Sequence, residues 1–128
     1  MTPVSSPFDW KEYLTLATYL SAKSGEASHR SSMSRAYDSV VYAAREHVLR
    51  GGHKVKTHHD VWQAYTKDAN RICRQLGNLG FRMKLVRENA DYKSHFPRQA
   101  EQMKKQLTEA VRLLQLLTNL PQSLPSPY

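Results

Sequence analysis

The most distinctive group of reactive side chains lies in the segment Arg87-Glu-Asn-Ala-Asp91-Tyr92. On a helix, Arg87 and Asp91 are four residues apart and face each other. Such a pair has two interpretations. It is an ordinary structural ion pair, or its carboxylate orients the guanidinium toward a phosphate, with the Tyr92 hydroxyl beside it. The sequence alone leaves both interpretations open.

Six histidines in a small basic chain raise the question of metal binding. His58 and His59 are adjacent, so on a helix their side chains point about 100° apart and cannot easily share one ion. No second histidine lies four residues from either, and no group of carboxylates accompanies them. We therefore expect no metal site and no cofactor, and we interpret this histidine pair as a solvated helix start that contacts a neighbour.

Familiar catalytic motifs are absent from the sequence. There is no Gly-x-Ser-x-Gly elbow, and Gly51-Gly52 lacks the spacing of a nucleotide-binding glycine loop. The single cysteine, Cys73, excludes an internal disulfide, and its helical context predicts a small core residue. No apolar run approaches the ~20 residues that span a bilayer. We expect a cytoplasmic protein without membrane contact.

The charge balance favours a polyanionic partner. The chain has 19 Lys and Arg residues against 11 Asp and Glu, a net charge of +8. Arginine suits bidentate contact with phosphate oxygens, and nearby tyrosines could add base stacking. Any one of these arginines is also explained by a solvated helix face. Basic residues off the apolar stripes of two predicted helices are Arg30, Arg35, Arg45, Arg50, Arg71, Arg74, Arg82, Lys84 and Arg87.

Apolar residues recur at steps of three and four along most of the chain, and nothing alternates with period two. This periodicity predicts helices over residues 7–24, 26–50, from 57, over 70–91 and from 97. We expect Ser6 to cap the first helix and Thr57 with Asp60 to form a capping box on the third. The apolar stripe of the fourth is predicted at Ile72, Leu76, Leu79, Met83, Val86 and Ala90, and that of the fifth at Ala100, Met103, Leu107, Ala110, Leu114 and Leu117.

The predicted fold is therefore an all-α antiparallel bundle of four to five helices. It forms a single domain over residues 1–120, and a flexible proline-rich tail follows at 121–128. Gly77 and Gly80 lie inside the fourth helix, where each costs about 1 kcal/mol relative to Ala. They predict a close helix contact or a local bend.

Three short segments, in this order, resemble HEPN domains (higher eukaryotes and prokaryotes nucleotide-binding). Ser34-Arg35-Ala36-Tyr37 with Tyr42-Ala43-Ala44-Arg45 is similar to the second helix of that family. Lys56-Thr57-His58 with Val61-Trp62 is similar to the start of its next helix. The segment from Arg87 to Tyr92 is similar to its Arg-x-x-Ala-Asp-Tyr motif. The resemblance covers roughly residues 8–118.

The resemblance implies an all-α bundle that is frequently dimeric. Many members are RNA-cleaving toxins or defence factors, and others pair with a minimal nucleotidyltransferase as a toxin–antitoxin system. The nucleases typically use Arg-x4-6-His, and two protomers bring two such motifs into a basic cleft. The implied chemistry is metal-independent. A 2′-hydroxyl attacks the adjacent phosphate, Arg stabilises the added charge and His transfers protons.

This chain departs from that nuclease spacing. The first histidine after Arg87 is His95, which on a continuous helix would lie about 12 Å away along the axis. Asp91 occupies the place of the nuclease histidine, and an ionised Asp is a poor general acid at neutral pH. A bent helix end before Pro97 would bring His95 back, and His58 is another candidate partner for Arg87. Tyr92 resembles a tyrosine that partner nucleotidyltransferases modify in some members.

Three hypotheses follow. The first is a non-enzymatic HEPN-like module of a toxin–antitoxin or defence system, either a homodimer or a complex with a nucleotidyltransferase. It would bind RNA or nucleotide through Arg35, Arg45, His58 and Arg87. The second is a metal-independent RNase toxin with a variant site formed by Arg87, Asp91, Tyr92 and His95. The third is a structural adaptor whose charge serves only solubility.

Overall fold

The computed structural model describes residues 8–121, and within them the chain forms five helices and no strand. The helices are α1 (Lys11–Ser21), α2 (Glu26–Arg50), α3 (His58–Thr66), α4 (Arg71–Tyr92) and α5 (Gln99–Thr118). Helix α2 lies at the centre and packs against all four others. The predicted all-α helical bundle is confirmed.

Contacts between helix ends give the direction of each helix. Trp10, just before α1, donates to Glu46 near the end of α2 at 2.7 Å, so α1 and α2 are antiparallel. Helices α2 and α5 are parallel, because His29 and Gln99 meet near their starts at 2.7 Å and His47 lies 2.5 Å from the Pro121 carbonyl oxygen near their ends. The end of α4 lies beside the start of α2, because Arg30 of α2 donates to the carbonyl oxygen of Ala90 in the last turn of α4.

Two helices begin with side-chain caps that the chain supplies locally. At α3, the Thr57 hydroxyl accepts from the Asp60 amide while the Asp60 carboxylate accepts from the Thr57 amide, so the predicted capping box is confirmed. At α4, the Asn70 side chain accepts from the amides of Ile72 and Cys73. Each cap contributes about 1 kcal/mol to helix stability.

Helix α1 starts later than predicted, and α5 starts within two residues of Pro97, near which its start was predicted. Helix α1 begins at Lys11 because Phe8 and Trp10 turn into an aromatic group with Tyr13 instead of continuing the helix backward. The predicted Ser6 cap and the Pro7 start lie outside the described residues. Helix α5 begins at Gln99, since the preceding Arg98 adopts a left-handed φ of 55° that no α-helix includes. The predicted tail lies outside the described residues except for Pro121.

The core contains one buried hydrogen bond between large aromatic side chains. The Trp62 indole N–H of α3 donates to the Tyr37 hydroxyl of α2 at 2.9 Å, and both rings are fully buried. This bond satisfies the polar end of each ring. Cys73 is buried as predicted, and burial raises the pKa of its thiol to about 11, which disfavours the reactive thiolate.

Helix α4 lies against α3 through its two internal glycines. A Cβ atom at Gly80 would lie 2.2 Å from the Trp62 ring, and one at Gly77 would lie 2.6 Å from Cγ2 of Thr66. Both distances are far below van der Waals contact. The close helix contact predicted from these glycines is confirmed.

Two stripe assignments differ from the sequence prediction. Ile72 is 39% exposed because it lies in the first turn of α4, where no helix covers it. In α5, Gln106 is buried although it lies outside the predicted stripe. Its amide donates to the carbonyl oxygens of Met33 on α2 and Met83 on α4 at 3.5 and 3.0 Å. Leu113 is also fully buried on this face. The polar residue fits the core because its donors have acceptors there.

Replacing Gly80 by Ala is expected to lower the free energy of unfolding by about 1–3 kcal/mol, because the added methyl overlaps the Trp62 ring. A decrease in the free energy of unfolding is informative, because Ala is favoured over Gly by about 1 kcal/mol inside an unhindered helix. Urea denaturation measures the change, with the exposed Ser31→Ala on α2 as a control that has no such overlap. An unchanged or more stable Gly80→Ala protein would contradict the close contact.

Candidate functional site

Charged and aromatic side chains from three helices meet where α2 faces α4 beside the first turn of α3. We call this group the α2–α4 cluster. Its members are Ser34, Arg35, Tyr37 and Asp38 of α2, His58 of α3, and Lys84, Arg87, Glu88 and Asp91 of α4. All three segments that carry the HEPN resemblance contribute to it.

The Arg87–Asp91 ion pair is present, as the spacing predicted. Nε of Arg87 lies 3.0 Å from Oδ2 of Asp91, and each side chain is 26% exposed. The two groups are not aligned as a hydrogen bond, so charge attraction holds them together. The Ser34 hydroxyl donates to the same carboxylate oxygen at 3.2 Å, which ties the end of α4 to α2.

The Arg87 guanidinium keeps donors available. Its Cζ lies 5.9 Å from the centre of the Tyr37 ring, which supports the planar group by a cation–π contact. Within residues 8–121, neither Nη nitrogen has a hydrogen-bond acceptor, and neither is a buried atom without a partner. Neither Nη atom is therefore fully buried, and with the side chain 26% exposed an anion can reach the guanidinium.

Arg35 belongs to the same group through Asp38. Nη1 of Arg35 donates to Oδ2 of Asp38 at 3.0 Å, and its guanidinium also lies 5.2 Å over the Tyr13 ring. Asp38 is only 7% exposed, and burial raises the pKa of its carboxyl against the lowering effect of Arg35 and then Arg87. Two arginines from different helices thus act on one buried carboxylate.

His58 is half-buried between aromatic rings and cations. Its ring centre lies 5.5 Å from that of Tyr37 and 5.8 Å from that of Tyr42. Burial lowers the pKa of His58, and the charges of Arg87, Lys84 and Arg45 lower it further. His58 is therefore mainly a neutral imidazole at pH 7, and no carboxylate within residues 8–121 forms an ion pair with it. The predicted contact of the histidine pair with neighbours is present, since His59 also meets Phe81 at 5.1 Å.

Other predicted site residues lie outside this cluster. Tyr92 ends α4 and is 75% exposed, and His95 is exposed in the connection that follows. In the described part of the chain, neither makes a hydrogen bond, ion pair or ring contact with Arg87. The chain leaves the helical path at Lys93, whose ψ is 127°, and does not bring His95 back. Arg45 is exposed and acts on the cluster through its charge at His58.

Arg30 has a structural role instead of forming part of a phosphate-binding face. Its guanidinium donates to the carbonyl oxygens of Ala90, Lys93 and Ser94, the last turn of α4 and the residues after it. A cation at a helix C-terminus also stabilises the helix dipole. Glu26 lies 3.2 Å from Arg30 and balances its charge.

Sequence reasoning missed Asp38 and the role of Ser34. Asp38 follows Arg35 by three residues, which is ion-pair spacing on a helix. Its burial between two arginines depends on the packing of α4 against α2, so only the three-residue spacing was visible in the sequence. Ser34 was visible only as part of the HEPN-like segment, and its bond to Asp91 joins residues 57 positions apart.

Comparisons with models of protein families, with curated proteins and with solved structures gave no match to this chain. Across residues 8–121, no group of three or more His, Cys, Asp or Glu side chains is placed to hold a metal ion. None of the described helices combines the length and apolar character needed to cross a bilayer.

Acidification is expected to destabilise the protein partly through His58. Because its folded-state pKa is lowered from 6.5, the unfolded chain binds the proton first as pH falls below about 6.5. The stability contributed by neutral His58 is complete above that pH and is lost toward the folded-state pKa. Urea denaturation between about pH 8 and pH 5, the range in which histidines titrate, should give a shallower decline in the free energy of unfolding for His58→Gln than for the wild type.

The His58→Gln protein should still lose stability on acidification, since burial also lowers the pKa of His47. An NMR titration of the His58 ring provides the independent measurement. A His58 pKa at or above 6.5, with equal slopes for the two proteins, would contradict the described environment.

Proposed function

We propose that this protein is a HEPN-like RNA- or nucleotide-binding module of a cytoplasmic toxin–antitoxin or defence system, and that it acts without cleaving RNA. It works as a homodimer or with a partner such as a minimal nucleotidyltransferase. The supporting observation is that Arg35 and Arg87 reach one patch from two helices, and that the partly exposed guanidinium of Arg87 makes no Nη hydrogen bond within residues 8–121.

The patch suits a phosphate for two reasons. Tyr37 and Asp91 hold the Arg87 guanidinium before a ligand arrives, so binding orders little that is not already ordered. The Asp38 carboxylate has a raised pKa, which means that its negative charge is poorly stabilised where it lies. A phosphate beside the arginines would add negative charge next to two cations, of which Arg35 now pairs with Asp38 and Arg87 with Asp91.

The HEPN part of the proposal is supported by where its motifs lie. Arg35, His58 and Arg87 come from three segments that are far apart in sequence, and all three side chains surround Tyr37 or its neighbour Asp38. A chance resemblance of short segments gives no reason for such convergence. The non-catalytic part is supported by His95, which lies in the exposed connection after α4 and has no contact with Arg87 in the described residues.

Binding of a single-stranded RNA oligonucleotide should respond to Arg87 and Asp38 in opposite directions. Arg87→Gln is expected to weaken binding about tenfold or more, since a charge-assisted contact contributes about 1.5–3 kcal/mol. Asp38→Asn is expected to strengthen it several-fold, because it removes a competing carboxylate near both arginines. Fluorescence anisotropy at several salt concentrations measures both effects.

Arg98→Gln is the matched control. Arg98 is exposed and contacts no member of the cluster within the described residues, and the substitution removes the same charge. Arg87→Gln should also reduce the salt dependence by about 0.7 in the slope of log K against log salt, as expected for one phosphate contact to a single strand. Equal losses for Arg87→Gln and Arg98→Gln would refute the assigned site.

A metal-independent RNase is the second candidate, and the position of His58 favours it. A neutral imidazole beside Arg87 has the protonation state of a general base, and Arg87 could stabilise charge on a phosphate. In this version His58 takes the place that the sequence analysis gave to His95. Tyr92 then lies outside the reacting group.

Incubation of the pure protein with mixed RNA in EDTA separates the two candidates. Binding without cleavage is the expected result for the binding module. Cleavage that is lost in both His58→Ala and Arg87→Ala, with folding checked by circular dichroism, would establish the RNase and overturn the non-catalytic proposal. RNA cleavage that is lost in only one of these variants would also overturn the non-catalytic proposal.

A further inference from the structure

A second basic site lies on the opposite side of α4, in a groove of about 270 Å³ between α4 and α5. Its lining residues are Gln75, Asn78, Leu79 and Arg82 of α4, with Arg112 and Leu116 of α5. None of them is a carboxylate. At roughly 30 Å³ per water molecule, this volume accommodates a group larger than a phosphate ion.

No acidic side chain of residues 8–121 forms an ion pair with either arginine of this groove. In the described residues, neither Arg82 nor Arg112 makes an ion pair, a hydrogen bond or a cation–π contact. The acidic Glu109 lines the continuation of the groove together with Arg82, and it pairs with Lys105 at 4.0 Å. Like charges from two packed helices therefore share one concave surface, an arrangement that a bound anion would relieve.

The other polar groups of the groove suit the same ligand. The amides of Gln75 and Asn78 can each donate two hydrogen bonds, and no described residue accepts from them. Gln75, Asn78 and Arg82 recur at steps of three and four, so they form one stripe along α4 opposite Arg112. The groove thus presents two guanidinium groups and two amide donors, and none of its own lining residues is a carboxylate.

We propose that this α4–α5 groove is a phosphate-binding site. It takes the phosphate of a nucleotide or one in an RNA backbone, with Arg82 and Arg112 on either side of the anion and Gln75 and Asn78 on its remaining oxygens. This site is separate from the α2–α4 cluster, because Arg82 and Arg87 are five residues apart and point about 140° from each other around the helix. It does not depend on the function proposed above.

Phosphate titration followed by NMR tests the site directly. The Nε–Hε signals of Arg82 and Arg112, assigned with Arg82→Gln and Arg112→Gln, are expected to shift and saturate with inorganic phosphate or RNA, and not with chloride at equal ionic strength. Saturation with both probes supports a site for any phosphate, and saturation with RNA alone supports a backbone site. No saturable shift with either probe overturns the proposal.

Affinity for the same RNA oligonucleotide gives the second measurement. The Arg82→Gln/Arg112→Gln double variant is expected to bind at least about tenfold more weakly. The control Arg71→Gln/Lys104→Gln removes two exposed charges from the same two helices outside the groove and should bind nearly normally. Equal losses in the two double variants overturn the proposal. Arg87→Gln should leave the Arg82 and Arg112 shifts with phosphate intact, which separates this site from the α2–α4 cluster.

Discussion

Trp62 packs against α4 more closely than any residue with a Cβ atom at position 80 would allow. This contact fixes the indole, whose N–H donates to the Tyr37 hydroxyl on α2. The Tyr37 ring in turn lies beside the guanidinium of Arg87 and the imidazole of His58. The position of the charged cluster therefore depends on a buried contact between uncharged groups. Charged side chains at a surface rarely hold one another in place so firmly, since solvent screens their attraction.

Much of the fold could be predicted because its information is local. The capping box at Thr57, the long central helix and the stripe of buried residues in α4 follow from spacing within a few residues. The errors arose where distant residues decide. Gln106 was not placed in the predicted stripe of α5, and it is buried because carbonyl oxygens of α2 and α4 accept from it. The residues next to Gln106 in the sequence do not indicate this burial.

The candidate site was partly predictable for the same reason. Arg87 and Asp91 pair within one turn of helix, and the HEPN-like segments pointed to Arg35 and His58. The burial of Asp38 between arginines requires α4 to lie against α2, which no spacing reports. His95 was expected either beside Arg87 through a bent helix end or away from it. The extended backbone at Lys93 directs the chain elsewhere.

Gln106 gives α5 a unique position along its neighbours. Its amide reaches carbonyl oxygens on two other helices, and a shift of α5 by one helical turn would break both hydrogen bonds. Such a slide would strand the amide in an apolar interior, at a cost of about 1–3 kcal/mol. One polar side chain thus favours the observed register of the last helix, because any other register leaves its amide without these acceptors.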